Sequence, residues 1–233
     1  MYSKIYETRY GDYKNYDVLK PSAIMDIVQD ISTKHSAACG YGMHTLRDMH
    51  RAWLMQGIKL HFNKPVNTTL PLTVHTAVKN MKGVTSERGC LIEQEGEIVA
   101  KTVANWFLFD TEKKRPCRIP GEMAACYEIH EFNDEFFSYI KPQLIDVEKV
   151  YSIRISNKEI DTNKHLNNQK GAELLMDALP FDFEFTDMNV LYKKSSYLGD
   201  VLDVCVKKTE KGYYVQMQTQ AGELCVAGTF ETL

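Results

Sequence analysis

The segment Pro21-Ser22-Ala23-Ile24-Met25-Asp26-Ile27-Val28-Gln29-Asp30-Ile31-Ser32-Thr33-Lys34-His35-Ser36-Ala37-Ala38 places apolar Ala23, Ile24, Ile27, Val28, Ile31 and Ala38 on one helical stripe, with Asp26, Gln29, Asp30 and Lys34 between them. A helix over Pro21–Ala38 is predicted, opened by a proline that needs no N–H and stopped by Gly40-Tyr41-Gly42. Outward from it, a short strand precedes the helix and runs rich in β-branched and aromatic residues follow: 53–63, 70–81, 85–95 and 98–110. Gln94-Glu95-Gly96-Glu97 reads as the hairpin turn between the last two.

The second half repeats that order. A strand is expected over 147–155, and a helix over 166–179 with its stripe at Ala172, Leu175, Ala178 and Leu179, ended by Pro180. Four strands follow at 187–194, 201–208, 213–220 and 224–231, and Gln220-Ala221-Gly222-Glu223 echoes the first hairpin. Two copies of strand, helix and four strands indicate duplication of one α+β unit. A unit of about 110 residues has no second helix layer, so its antiparallel sheet must curl around the single helix. That arrangement is a hotdog, and Gly171 and Ala172 permit the close approach of helix and sheet. The expected architecture is a double hotdog: an N-terminal hotdog over 1–130, a linker over 131–146 and a C-terminal hotdog over 147–233. The two curved sheets are expected to join edge to edge into one continuous sheet, hiding an exposed edge.

Composition narrows the function. The 233 residues are 44% hydrophobic and 25% charged with a formal net charge of -3, ordinary values for a soluble globular protein. No apolar run approaches the roughly 20 residues a membrane helix needs, and the N-terminus lacks a signal-peptide pattern, so a cytoplasmic protein is expected. The charge gives no electrostatic footprint for nucleic acid. Cys39, Cys90, Cys117, Cys126, Cys205 and Cys225 form no C-x-x-C pair and have no histidine at zinc spacing, so no metal or redox motif is read, and reduced, mostly buried thiols are expected. No cofactor is expected either.

The chemistry concentrates in Glu159-Ile160-Asp161-Thr162-Asn163-Lys164-His165-Leu166-Asn167-Asn168, where a loop enters the second helix. Asp161, Asn163, His165 and Asn167 are spaced by two, so on an extended chain they project to one side. A carboxylate, carboxamides and an imidazole then gather at a helix N-terminus, where N–H groups and the helix dipole favour a developing anion, an arrangement suited to acyl transfer. The structural alternative has Asp161 or Asn163 capping the helix and His165 as an ordinary helix-face residue.

Asp161-x-Asn163-x-His165-x-Asn167-Asn168 resembles the motif of acyl-acyl-carrier-protein thioesterases, double-hotdog enzymes that release fatty acids from carrier protein. The resemblance extends along the chain through Pro21-Ser22, Gln29-Asp30, His35, Gly40-x-Gly42, Trp53-Leu54, Asn105-Trp106, Asp110 and Arg115-Pro116-x-Arg118-Ile119-Pro120. It implies an acyl-binding first half without catalytic residues, a catalytic second half, and acyl carrier protein as partner. In the family a Tyr-basic-basic-Glu-Cys strand adds a carboxylate and a thiol. Here that stretch is Tyr192-Lys193-Lys194-Ser195-Ser196, so Ser195 stands at the glutamate position and Ser196 at the cysteine position. The expected mechanism is hydrolysis by an activated water: His165 as base and then acid, Asp161 orienting its imidazole, Asn163 with helix N–H groups as oxyanion donors, and Ser195 and Ser196 binding the water. A serine nucleophile is a lesser variant. An acyl-CoA thioesterase, a dehydratase on the same fold and a non-catalytic acyl-binding protein are the competing readings. Lys193-Lys194 or Lys113-Lys114-Arg115 with Arg118 would steer an acidic carrier protein, and the chain is expected to be a monomer or homodimer.

Overall fold

The computed structural model describes residues 1–15, 18–64, 66 and 70–232, in two compact units, Met1–Tyr139 and Ile140–Leu233. The first unit runs β1 (Tyr2–Tyr6), β2 (Tyr13–Asn15), β3 (Val18–Leu19), α1 (Pro21–Ala38), α2 (Met43–Asp48), β4 (Arg51–Phe62), β5 (Leu72–Lys82), β6 (Thr85–Gln94), β7 (Glu97–Asp110), β8 (Arg115–Pro116) and α3 (Gly121–Ala125). The second runs β9 (Lys149–Arg154), α4 (Asn168–Met176), β10 (Asp187–Tyr192), β11 (Val201–Lys208), β12 (Gly212–Thr219) and β13 (Leu224–Glu231).

Strand order exposes the duplication more firmly than element order does. In the first unit the antiparallel order is β1-β5-β6-β7-β4, with the short β8 added against the end of β7. In the second it is β9-β11-β12-β13-β10. Numbered from each unit's own first strand, the two sequences of pairing are the same. The hairpins that echo one another nevertheless turn differently. Glu95 and Gly96 both have positive φ, 53 and 82, the two-residue turn whose twist suits a hairpin. The second turn has only Gly222 at positive φ, 81, after a longer loop closed by Thr219 N–H to Glu223 O at 2.9 Å.

α1 occupies the predicted residues. Ile24, Val28 and Ile31 are fully buried along its stripe, and the helix packs on β1 and β5. It ends with Tyr41 N–H bonded to Ser36 O at 2.8 Å and Gly40 N–H to Ala37 O at 2.9 Å, around Gly40 at φ 84, the left-handed cap that glycine favours. α2 and α3 were not expected. They join Leu46, Met123 and Tyr127 with Val78, Leu108 and Ile119 in a core cluster on which Trp53 packs. Beyond α3, Phe137 is buried, stacks on Phe132 at 4.2 Å, and both rings lie against Gly89 of β6. Lys101 pairs with Asp134 at 2.6 Å across the same sheet, so residues 132–137 are fastened to the first unit.

Arg88, 6% exposed on β6, donates to His35 Nδ1 at 2.7 Å and lies over the Tyr127 ring at 5.7 Å. Burial, and next the Arg88 charge, push His35 down to about 4. Between an ordinary histidine value near ~6.5 and that level, the unfolded chain takes up a proton that the folded chain refuses, so stability falls as pH falls through this window and levels off below it. After solvent screening of a half-buried ring the loss is about 1–2 kcal/mol. Urea midpoints between pH 7 and 4 should show that slope in the wild type and a flatter one in His35→Gln.

Candidate active site

β9 leads into a 3-10 turn at Asn157–Glu159, closed by Ser156 N–H and Oγ donating to the Glu159 carboxylate, each at 2.7 Å. Glu159 is buried, which pushes its carboxyl up, yet the Ser156 hydrogen bonds and Lys158 outweigh that and hold it below the usual carboxylate range. The chain then folds back on itself. Asp161 N–H donates to His165 O at 2.8 Å, Lys164 N–H to Asp161 O at 3.0 Å, and Ile160 bridges Leu166. Lys164 closes the turn at φ 64, a conformation costly for a residue with a Cβ.

The four polar residues therefore do not lie along an extended strand. A tight turn gathers two of the others, Asn163 and His165, around the Asp161 carboxylate, whose Oδ1 accepts from the Asn163 N–H at 2.8 Å and the His165 N–H at 3.1 Å, and whose Oδ2 accepts from Asn163 Nδ2 at 3.3 Å. Side-chain carboxylates two to four residues before a free N–H close such turns, which is why aspartate suits this position. Among the described residues, none of the Asp161 hydrogen bonds reaches the imidazole. Asp161 fixes the backbone that carries the ring.

Asn167 stands apart from the cluster. It is the cap of α4, its side-chain oxygen accepting from Gln169 N–H at 2.8 Å and Lys170 N–H at 3.3 Å. The cap expected from Asp161 or Asn163 is thus supplied by Asn167, and two N–H groups expected to face a developing oxyanion are already bonded within the protein. Asn163 is exposed, with its Nδ2 turned to Asp161.

Leu166 N–H donates to Ser196 O at 2.8 Å, and Tyr192 Oη donates to Asn168 O at 2.8 Å, so the segment after β10 is bound directly to this turn. Exposure alternates along it: Ser195 and Tyr197 are exposed and Ser196 is buried. The Ser196 hydroxyl faces the interior beside Cys225, whose thiol burial pushes up. The Tyr197 ring meets the half-buried His165 ring at 5.0 Å, tilted by 55°. Nothing in the sequence pattern singled Tyr197 out. Lys193 and Lys194 are both exposed, and Lys194 pairs with Glu223. Among the described residues no group of three His, Cys, Asp or Glu side chains is placed to hold a metal ion, and no helix is long and apolar enough to cross a membrane.

Two family models match the chain. The acyl-ACP thioesterase N-terminal domain covers residues 1–127 and the acyl-ACP thioesterase C-terminal domain covers residues 141–228. None of the curated proteins compared matches significantly in sequence. Among solved structures, an acyl-ACP thioesterase from Bacteroides thetaiotaomicron superposes with TM-score 0.87 and 17% identity, over 98% of this chain and 96% of its own. The 12:0-ACP thioesterase from Umbellularia californica does so with TM-score 0.87 and 15% identity, over 99% and 96%. A protein from Aquifex aeolicus matches with all of its length on 55% of this chain, at TM-score 0.51 and 13% identity. At these identities the superpositions speak for the fold, a hotdog used twice.

Proposed function

The chain belongs to the acyl-ACP thioesterase family, and from that premise we propose that its thioester hydrolysis is carried out on the turn between β9 and α4, with His165 as the proton-transfer group. The observation that carries the reading is the convergence of a half-buried imidazole, a carboxylate and a carboxamide on one short turn that is itself tied to the Ser195–Ser196 segment. His165 takes the proton from an attacking water and returns it to the thiolate leaving group. Asp161 holds the turn that carries the ring, through the N–H groups of Asn163 and His165. Asn163 offers a carboxamide donor to the thioester carbonyl, a contribution typically worth ~2.7–4 kcal/mol for one such donor. Ser195 faces outward and binds the water, while the buried Ser196 supports the segment through its backbone carbonyl.

The first unit would hold the acyl chain. The exposed Lys193, on the segment that borders the turn, would meet an acidic carrier protein, and that attraction weakens with salt. The active species would be a monomer or a homodimer.

Free-thiol release from acyl-ACP and acyl-CoA of matched chain length tests the substrate assignment. A higher kcat/KM on acyl-ACP that falls with added salt supports it. Equal rates on both favour a CoA enzyme, and tight acyl binding without thiol release favours a binding protein. Ser195→Glu restores the family's carboxylate at an exposed position beside the turn and is expected to raise kcat by about tenfold or more, toward the ~10²–10⁴-fold range of a positioned general base. Unchanged or reduced kcat in that variant would show that the position does not face the reacting atoms.

A further inference from the structure

A catalytic imidazole needs something that holds its ring, and in a triad that task falls to a carboxylate bonded to the ring nitrogen. Here the Asp161 carboxylate spends its hydrogen bonds on the backbone N–H groups of Asn163 and His165 and on the Asn163 side chain. The ring contact that His165 does make is with Tyr197, 5.0 Å between centroids. We propose that Tyr197 is the positioning residue of this site, holding the His165 imidazole through a tilted ring-to-ring contact where a triad would use a carboxylate.

The surroundings of Tyr197 suit that task. Its N–H donates to Asp200 Oδ2 at 2.8 Å, and its carbonyl accepts from the Asp200 N–H at 3.1 Å. On one side the preceding carbonyl, Ser196 O, is bonded to Leu166 N–H. On the other, Gly199 N–H donates to Ile155 O at 2.9 Å and Gly199 O accepts from Arg154 at 3.1 Å. The backbone on both sides of the tyrosine is therefore pinned, to the catalytic turn at one end and to the end of β9 at the other. The side chain is 52% exposed, so its placement is not explained by burial. A rigid backbone presenting a half-exposed aromatic ring to a histidine is the arrangement expected of an orienting contact. A ring nitrogen misplaced by about 1 Å is enough to cost ~10²-fold in rate.

This inference rests on the hydrolytic reading of His165, and the test separates the two. Steady-state kinetics with an acyl thioester are measured on full-length Tyr197→Phe and Tyr197→Leu. Tyr197→Phe keeps the ring and should stay within about twofold of wild type. Tyr197→Leu should lose about 10-fold to 10²-fold in kcat with KM nearly unchanged. In the wild-type protein, nuclear Overhauser contacts should link the Tyr197 ring protons to the His165 ring protons, identified by their loss in His165→Ala. These contacts provide the check should Tyr197→Leu fail to fold. Wild-type kcat in Tyr197→Leu, an equal loss in Tyr197→Phe, a loss confined to KM, or the absence of those contacts would each overturn the proposal. Wild-type turnover in His165→Ala would instead overturn the hydrolytic reading.

Discussion

Replacing His165 by alanine should lower kcat for thioester hydrolysis by about 10²–10⁴-fold, the range that a positioned acid–base group supplies, while leaving the fold intact. The expectation of an intact fold follows from where the hydrogen bonds lie. The turn is closed through the His165 backbone, its O accepting from Asp161 N–H and its N–H donating to the Asp161 carboxylate. The imidazole contributes no bond to that closure, so its removal leaves the turn standing. Circular dichroism and urea unfolding of the variant should match wild type to within about 0.5 kcal/mol, as for a partly exposed side chain. Asp161→Ala should behave differently. It removes the acceptor for three hydrogen bonds at once, so activity and the order of the turn should fall together. If His165→Ala retained wild-type turnover, the reaction would have to be assigned to another part of the chain.

That contrast also marks what the sequence discloses and what it withholds. The regular elements are legible because their periods are long enough to count: α1 follows eighteen residues of helical stripe, and β11 and β13 fall on the expected residues. α2 and α3, six and five residues long, complete too little of a helical repeat to be distinguished from loop. At the candidate site the composition was legible and the geometry was not. Spacing by two suggested an extended run, but an aspartate followed at +2 and +4 by free N–H groups folds into a turn instead. Likewise Asp161, Asn163 and Asn167 are all good caps by residue type. What separates them is where α4 begins, and tertiary bonds outside the helix, Leu166 to Ser196 and Tyr192 to Asn168, help to fix that start. Tyr197 was illegible for a related reason, since its partner lies 32 residues away, on the far side of α4 and β10 in the chain.

Gly212→Ala should be the most damaging single-methyl change in the second unit, costing about 3 kcal/mol or more. Gly212 opens β12 opposite Glu231 of β13, with Tyr213 opposite Phe230. A Cβ built there would overlap the backbone carbonyl oxygen of Phe230 and approach both Glu231 Cα and the Phe183 ring at 3.1 Å. A side chain in the way can rotate, but a backbone carbonyl in a ladder cannot move without giving up the pairing on either side. The strain therefore falls on β12–β13, the hairpin against which α4 packs. Gly89→Ala is the instructive comparison: its Cβ would come within 2.6 Å of Phe132 and 2.9 Å of Phe137, but both obstacles are side-chain rings, so a smaller loss of about 1–3 kcal/mol is expected. Gly121→Ala, at the start of α3 with nothing within 4 Å of the added carbon, should be nearly neutral. Urea unfolding of the three variants should rank them in that order. A Gly212→Ala protein as stable as wild type would mean that β12 and β13 pair less closely at their ends than the register describes, and the support beneath α4 would need to be sought elsewhere.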